Sequence, residues 1–402
     1  MRRYFIHFLA SVVLLAGAMA GFNWWVDPYA IYRDRELSLQ QSQPILVMNE
    51  RVFKTVGLAR AKADVVILGT SRTDIGIGRD HQVFQGKRVF NLATFGQPIR
   101  ESRRLMEVVL EHGKPQTIVV GLDFFAFNAL FVPPTDFVDE NYSPLRPYNL
   151  MLSISTLSDS RNAVRRKTPV ENDCCYADGF RTPQTLSRLA GTYRKNFSNN
   201  ERMYLLEKYL PYPACRFSFA TDKAGSSLED LRAMMQMAHR HHVDLYFFVS
   251  PAHARQWETL AIAGLWEQWE EWKRELVRIN GDEAKQAGVA TFPLWDFSGY
   301  DAVSTEEVPA SEDKKSVMRW YTDSGHYTTD LGRQIIQRML APVAGGELDT
   351  WGSVMDPSNL EAHLKRIRLA RDCYRNTHRQ EIAEIENIAR EVNRIKHCPG
   401  SQ

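Results

Sequence analysis

The chain has 402 residues, enough for one large domain with additions or for two ordinary domains, and its 44% hydrophobic and 24% charged residues are the composition of a globular protein with a substantial core. Fifty Lys and Arg stand against 48 Asp and Glu, a formal net charge of +2. That balance gives no reason to expect nucleic acid as a partner.

The first element is the clearest. Met1-Arg2-Arg3 precedes an uncharged run from Tyr4 to Val26, and a helix rising about 1.5 Å per residue needs roughly 20 apolar residues to cross a bilayer. The paired arginines predict a cytoplasmic N-terminus, and Trp24-Trp25 would sit at the opposite interface. A cleaved signal peptide is the rival reading, since Ala18-Met19-Ala20 fits the small-residue cleavage pattern. The apolar run continues past that site, which favours a transmembrane anchor over 1–26. Both readings export the rest of the chain.

Residues 27–63 read as a juxtamembrane segment with a short helix, and a regular alternation follows. Apolar runs at 64–68 and 88–92 predict buried strands, 99–112 an amphipathic helix, and 116–122 a third strand. Strand, helix, strand with short links is the pattern of a parallel sheet covered by helices. The pattern breaks over about 126–221, rich in Pro, Asn, Ser, Tyr and Arg, which reads as an inserted subdomain or lid. It resumes with a helix at 227–242, a strand at 244–249, a long helix at 259–288, a last strand at 289–294 and a closing helix at 328–340. The expected fold is an α/β three-layer sandwich around a parallel sheet of about five strands, spanning 64–345. Residues 346–402 form a helical tail, with Ile382, Ile385, Ala389, Val392 and Ile395 at helical spacing for packing on the domain or on a partner.

Five cysteines occur in a chain whose export permits disulfides. Cys373 with Cys398, and Cys215 with Cys174 or Cys175, are the candidate pairs, leaving one thiol over. Unpaired cysteines stand as the alternative, because spacing does not give connectivity.

Two constellations can carry chemistry. Gly69-Thr70-Ser71-Arg72 directly follows the first strand, at the edge where open α/β sheets place their active sites. A turn into a helix there exposes the serine hydroxyl and offers backbone N–H groups to an oxyanion. Gly-x-Ser turns are common, so this motif alone is weak. The second is Asp323-Ser324-Gly325-His326, just before the closing helix. A serine needs a base to take its proton, and a carboxylate to hold that base in one tautomer. One loop supplies both partners here, although Thr328 or Thr329 capping a helix beside a solvated Asp and His would look the same.

Taken together, the two ends resemble the SGNH (GDSL-like) hydrolase family over roughly residues 64–345, with the insertion unmatched. Ser71 resembles the family's block I nucleophile, and Asp323 and His326 resemble its block V pair. Phe90-Asn91-Leu92-Ala93-Thr94-Phe95-Gly96 resembles block II, which would give Gly96, with the N–H of Ser71, an oxyanion-hole role. Block III normally ends Gly-x-Asn-Asp, with the asparagine as an oxyanion donor, whereas this chain reads Gly121-Leu122-Asp123. An ionised aspartate cannot donate, so either Asp123 does something else, or Asn128 or Asn91 substitutes, or the hole rests on the backbone N–H groups of Ser71 and Gly96. Arg72, Asn91, Asp123, Asn128 and His253 (in Ser250-Pro251-Ala252-His253) are the further site-lining candidates.

Gly-Thr-Ser-Arg in place of Gly-Asp-Ser, together with the anchor, looks more like the acyl-transferring relatives, such as alginate O-acetyltransferase-like and D-alanyl transfer proteins, than like secreted lipases. The resemblance implies a periplasm-facing serine O-acyltransferase of the bacterial inner membrane. Its acceptor would be a cell-surface or secreted polysaccharide, and its partner a multi-spanning membrane acyltransferase. A deacetylase or esterase with the same triad, and an inactive scaffold of an envelope assembly, are the alternatives. No cofactor is expected. His239, His241 and His242 read as a solvated helix end rather than a metal site, because no carboxylate or cysteine shares their spacing. Trp266, Trp269 and Trp272 read as packing before a sugar platform. No phosphate-loop or dinucleotide motif occurs.

Overall fold

The uncharged N-terminal run folds as one helix, α1 (Arg2–Val26), in the computed structural model, which describes residues 1–32, 49–79, 82–165, 175–182, 186–223, 225–342, 346, 348–396 and 398. With 25 residues, α1 is long and apolar enough to span a membrane, and none of its most apolar stretch is buried. The other described helices are α2 (Glu50–Ala61), α3 (Ser71–Gly76), α4 (Ile99–His112), α5 (Arg146–Met151), α6 (Ile154–Arg165), α7 (Tyr193–Met203), α8 (Ser227–His241), α9 (Ala254–Ile262), α10 (Trp266–Ala287), α11 (Thr329–Leu340), α12 (Leu360–Thr377) and α13 (Arg379–Ile395). The strands are β1 (Val65–Leu68), β2 (Val89–Asn91), β3 (Thr117–Leu122), β4 (Ala220–Thr221), β5 (Gly225–Ser226), β6 (Asp244–Val249), β7 (Leu294–Asp296) and β8 (Ser353–Val354).

These elements group into two compact units. The first comprises Met1–Lys62, Phe90–Leu92 and Thr135–Thr182; the second comprises Ala63–Val89, Ala93–Pro134 and Pro183–Gln402. The stretch read as an insertion is thus divided between them, and the tail belongs to the second.

In the first unit, α1 stops at Asp27, whose backbone turns left-handed (φ 50°). The Asp27 carboxylate makes that turn tolerable by accepting from the N–H groups of Ile31 (2.7 Å) and Tyr32 (3.1 Å), a local bond that competes with further helix. Val26, Tyr29, Ala30 and Ile31 then pack with Val52 and Phe53 of α2, Leu150 of α5 and Ala163 of α6.

The second unit is built on a mixed α/β plan. The six-stranded sheet has the order β2-β1-β3-β6-β7-β8, and all of its strands but β2, whose Phe90 and Asn91 belong to the first unit, lie in the second. The pairs β1/β3, β3/β6 and β6/β7 are parallel, and the edge pair β7/β8 is antiparallel. Every residue of β1 and β3 is buried, as continuous apolar strands of a covered parallel sheet should be.

Two predicted elements need new bounds. The long helix at 259–288 is two helices, because Gly264 takes a left-handed conformation (φ 76°) and the chain caps itself there. Gly264 N–H donates to the Ala261 carbonyl and Leu265 N–H to the Leu260 carbonyl, the 6→1 closure of a Schellman end. The last strand lies at Leu294–Asp296 rather than 289–294. The residues before it form an exposed return, held where the Asn280 side chain bonds both N–H and C=O of Phe292.

The tail folds back onto the second unit. α13 buries Ile382, Ile385, Ile388, Ala389 and Val392, packing beside α7 and α9. Ile395, grouped with these by its spacing, is exposed. Arg255 of α9, 1% exposed, binds the fully buried Glu201 of α7 through two bonds (2.7 and 2.9 Å) and reaches Glu384 (2.8 Å) and Glu381 of α13. Lys396 donates to the Leu205 (2.5 Å) and Leu210 carbonyls. This return brings Cys398 to Cys215, and they form a disulfide with Cα atoms 5.8 Å apart. Neither expected pair forms: Cys373 lies on the exposed side of α12 as a free thiol, and Cys215 is taken by the tail. Cys175 is also disulfide-bonded; Cys174 lies outside the described residues.

Removing one partner of a buried ion pair strands the other charge. Arg255→Leu should therefore lower the unfolding free energy of the second unit by about 3–5 kcal/mol, read as a lower urea midpoint. The double variant Arg255→Leu/Glu201→Leu should recover part of that loss.

Candidate active site

β1 delivers the chain to Gly69 and Thr70, and Ser71 is the first residue of α3. Thr70 is the N-cap: its hydroxyl oxygen accepts from the Arg72 N–H (3.2 Å) and donates to Asp123 Oδ2 (2.6 Å). The turn requires glycine at 69 for two reasons. Its φ is +150°, and a Cβ there would lie 2.4 Å from Thr73 Oγ1. At a helix start the Ser71 N–H has no carbonyl within the helix to bond, so it stays available to a ligand oxygen.

The loop after β2 joins this turn through Thr94, whose N–H donates to the Gly69 carbonyl (3.1 Å). It then curls as Gln97 bonds back to Thr94, with Gly96 at φ +60°. A Cβ on Gly96 would meet only ordinary contacts, at 3.4 Å or more, with Pro134, Phe131 and Lys208. Backbone conformation, not space, asks for glycine there.

The third piece is a tight hairpin between Tyr321 and Tyr327. Asp323 Oδ1 accepts from the N–H groups of Gly325 and His326, both at 2.8 Å. Its Oδ2 accepts from His326 Nδ1 at 2.8 Å. Burial pushes the Asp323 carboxyl up, but the neighbouring His326 and these N–H donors outweigh it and hold the carboxyl below its ordinary value. An ionised Asp323 puts the imidazole proton on Nδ1. His326 Nε2 is then an acceptor, and it lies 2.9 Å from Ser71 Oγ. Ser71, His326 and Asp323 therefore form one continuous hydrogen-bonded line across 255 residues of sequence.

Close packing sets that spacing. α3 begins at Ser71 and α11 begins three residues after His326. They meet where Gly332 faces Gly76, so closely that a Cβ on Gly332 would sit 1.9 Å from the Gly76 carbonyl oxygen. Beneath the histidine loop, Ser324 Oγ donates to Gln256 Oε1 and accepts from Asn200 Nδ2, both at 2.9 Å, and Gln256 donates to Tyr209 OH (2.7 Å).

Asp123 and Arg72 form a buried pair behind the triad. Arg72 Nη1 lies 3.2 Å from Asp123 Oδ1, with side chains 3% and 0% exposed. Arg72 Nε donates to Tyr204 OH (3.2 Å), and the guanidinium faces the rings of Tyr204, Phe125 and Trp257 at 5.2–6.0 Å. It also packs under the histidine loop, 3.5 Å from where a Cβ on Gly325 would be.

The other candidates are not brought into this line. Asn128 is spent on structure: its amide nitrogen donates to the Lys208 and Tyr209 carbonyls, and its oxygen accepts from Leu130 and Ser218 N–H. It cannot substitute as an oxyanion donor. His253 caps α9 with Nδ1 accepting from Arg255 N–H, while Nε2 donates to the Glu306 carbonyl (2.7 Å). Burial lowers its pKa to about 3, so it is a neutral packing residue rather than a substrate contact. Asn91 is buried at the end of β2 in the other compact unit, its N–H on the Asp178 carbonyl. Trp269 and Trp272 are fully buried, and Trp266 lies under Arg371, so the tryptophan row is packing. His239 stacks on Phe292 at 4.3 Å, and among the described residues no cluster of three His, Cys, Asp or Glu is arranged to hold a metal.

Sequence reasoning took Thr70 only as part of the Gly69–Arg72 turn and missed Asn200, Tyr204, Tyr209 and Gln256. Those four carry no local motif, and three of them lie in the stretch read as an insertion. No protein-family model matches the chain, and no curated protein matches its sequence.

A charge-removing but nearly isosteric change at Asp123 tests the buried pair. Asp123→Asn keeps an acceptor for Thr70 and leaves Arg72 buried without its counter-charge, so it should cost about 3 kcal/mol of stability. In a double-mutant cycle with Arg72→Met, the two should couple by about 1–3 kcal/mol.

Proposed function

We propose that this chain is a membrane-anchored serine O-acyltransferase of the SGNH-like type, acting outside the cytoplasm on a hydroxyl of a cell-surface or secreted polysaccharide. The observation that carries the reading is the unbroken line from Ser71 Oγ to His326 Nε2 (2.9 Å) and from His326 Nδ1 to Asp323 (2.8 Å). In this reading the mostly parallel sheet is the central layer of the family's three-layer α/β/α sandwich. α1 is a single-pass anchor with Arg2-Arg3 on the cytoplasmic side, which leaves the Ser71 unit facing the periplasm.

The chemistry follows from the protonation states. His326 Nε2 takes the Ser71 proton as Oγ attacks the carbonyl of an acyl donor, and Asp323 stabilises the imidazolium without accepting the proton itself. The tetrahedral oxyanion is met by the N–H groups of Ser71 and Gly96, because Asp123 accepts only and Asn128 is committed elsewhere. His326 returns the proton to the leaving group, which departs and leaves an acyl-Ser71 ester. It then takes a proton from the acceptor hydroxyl, whose oxygen displaces Ser71, and hands that proton back to Oγ. Water in place of the hydroxyl would make the same site an esterase. The choice of sugar, and of a multi-spanning membrane acyltransferase as acyl supplier, rests on the resemblance to exported acyl-transferring relatives.

Full-length protein in detergent, given an acetyl ester and an acidic or neutral oligosaccharide, should place acetyl on the sugar. Free acetate alone would make it a hydrolase. A fluorophosphonate should label Ser71 in folded protein, and Asp323→Asn should lower turnover by about 10⁴-fold without unfolding. An unlabelled Ser71, with Ser71→Ala fully active, overturns the catalytic reading.

A further inference from the structure

α1 does not simply end; its last turns are built into the first unit. Asn23 is fully buried, and its side-chain nitrogen donates to the carbonyls of Met151 (2.9 Å) and Ser153 (3.3 Å) while its oxygen accepts from Ser160 Oγ (2.9 Å). Tyr29 OH donates to Asp159 and Tyr32 OH to the Pro147 carbonyl, both at 2.6 Å. The corner between α5 and α6 is therefore fixed at the height of Asn23 on α1.

That height is set by helix geometry. Tyr4 to Phe22 is 19 residues, about 28 Å of helix, close to the roughly 30 Å hydrocarbon core of a bilayer. A bilayer around α1 thus ends near Asn23, with Trp24 and Trp25 (49% and 57% exposed) within about 3 Å along the axis. The α5–α6 corner pinned there carries four large apolar side chains in the open: Leu145 (61%), Tyr148 (64%), Leu152 (56%) and Ile154 (78%). Single exposed apolar residues are ordinary, but four within ten residues, on a segment hydrogen-bonded to the end of an apolar helix, point to a contact surface. Tyr and Trp are the side chains that favour the interfacial zone.

We propose that the α5–α6 corner is a membrane seat, in which Tyr148, Leu152 and Ile154, beside Trp24 and Trp25, enter the interfacial zone of the leaflet where α1 ends. The proposal rests on the reading of α1 as a membrane span. A lone helix leaves its cargo free to swivel; a second contact beside it fixes which face of the first unit meets the lipid.

The test uses the full chain in phospholipid nanodiscs, in a Cys373→Ser background so that its free thiol is removed. An environment-sensitive fluorophore is placed in turn at Leu14→Cys, Leu152→Cys and Ile154→Cys, with nitroxide lipids carrying the quencher near the headgroup or deep in the acyl chain. The expected result is loss of emission at 14 with the deep quencher, and at 152 and 154 with the shallow one. Deep quenching at 14 with none at 152 and 154 overturns the seat while leaving the span intact. If emission at those two sites is then still blue-shifted, a protein partner covers the corner instead. Absence of quenching at 14 overturns the span reading and the seat with it.

Discussion

The Arg72 guanidinium is a full charge withdrawn from water one residue after the proposed nucleophile, and its neighbourhood is arranged around that fact. Taking such an ion out of water costs several kcal/mol, which only a close counter-charge and satisfied hydrogen bonds offset. Asp123 supplies the charge from the end of β3, and Tyr204 accepts from Nε. Both oxygens of Asp123 are committed, one to Arg72 and one to the Thr70 cap. An asparagine at 123 would bond Thr70 yet leave the guanidinium uncompensated. Asp123, where the proposed family resemblance would place an asparagine donor, instead neutralises the buried arginine. The guanidinium in turn lies under Gly325, so the Ser71 turn and the histidine loop rest on one shared support.

A second chain of contacts runs from that loop to the tail. Ser324 bonds Asn200 of α7; the next residue, Glu201, binds Arg255; and Arg255 binds Glu381 and Glu384 at the start of α13. His253, which opens α9 two residues before Arg255, holds the Ser324 carbonyl through its backbone N–H (3.0 Å). The two ends of α9 and α7 that face the loop are therefore fixed by charges supplied from the C-terminal helix. The disulfide of Cys215 with Cys398 and the Lys396 contacts with the Leu205 and Leu210 carbonyls close the same arrangement from its other end. Residues 360–396, which the sequence presents as an amphipathic appendage, are structural members of the unit that holds Ser71.

What was legible in the sequence is what local chemistry constrains. Val65–Leu68, Thr117–Leu122 and Asp244–Val249 are apolar runs bounded by turn residues, and each is a strand. Ser71 stands where a strand must turn into a helix, and Asp323 reaches His326 within a single loop, so neither needed distant partners to be noticed. The misplaced features depend on partners far along the chain. Asn128 looked available because the Lys208, Tyr209 and Ser218 backbone groups that consume it lie 80–90 residues away. His253 looked like a site residue because nothing local announces the Glu306 carbonyl. The cysteines mispaired for the same reason, since the return of α13 decides which sulfur meets Cys215. Gly264 was the readable exception: a glycine inside a long helical pattern was already the sign that two helices meet there.

The boundary of α1 follows the same logic in reverse. Hydropathy alone extends the run to Val26, because a single asparagine among apolar residues does little to the sum. Asn23 nevertheless ends the exposed apolar stretch, since its amide nitrogen and oxygen are both engaged with the α5–α6 corner and the residue is fully buried. An asparagine left in hydrocarbon would lack those partners at a cost of several kcal/mol. The same side chain therefore makes the last turn of α1 part of the first unit's core. Val26 and Tyr29 to Ile31 are packed there with α2, α5 and α6. The end of α1 is thus joined to its unit by packing and by side-chain hydrogen bonds, not by chain connection alone.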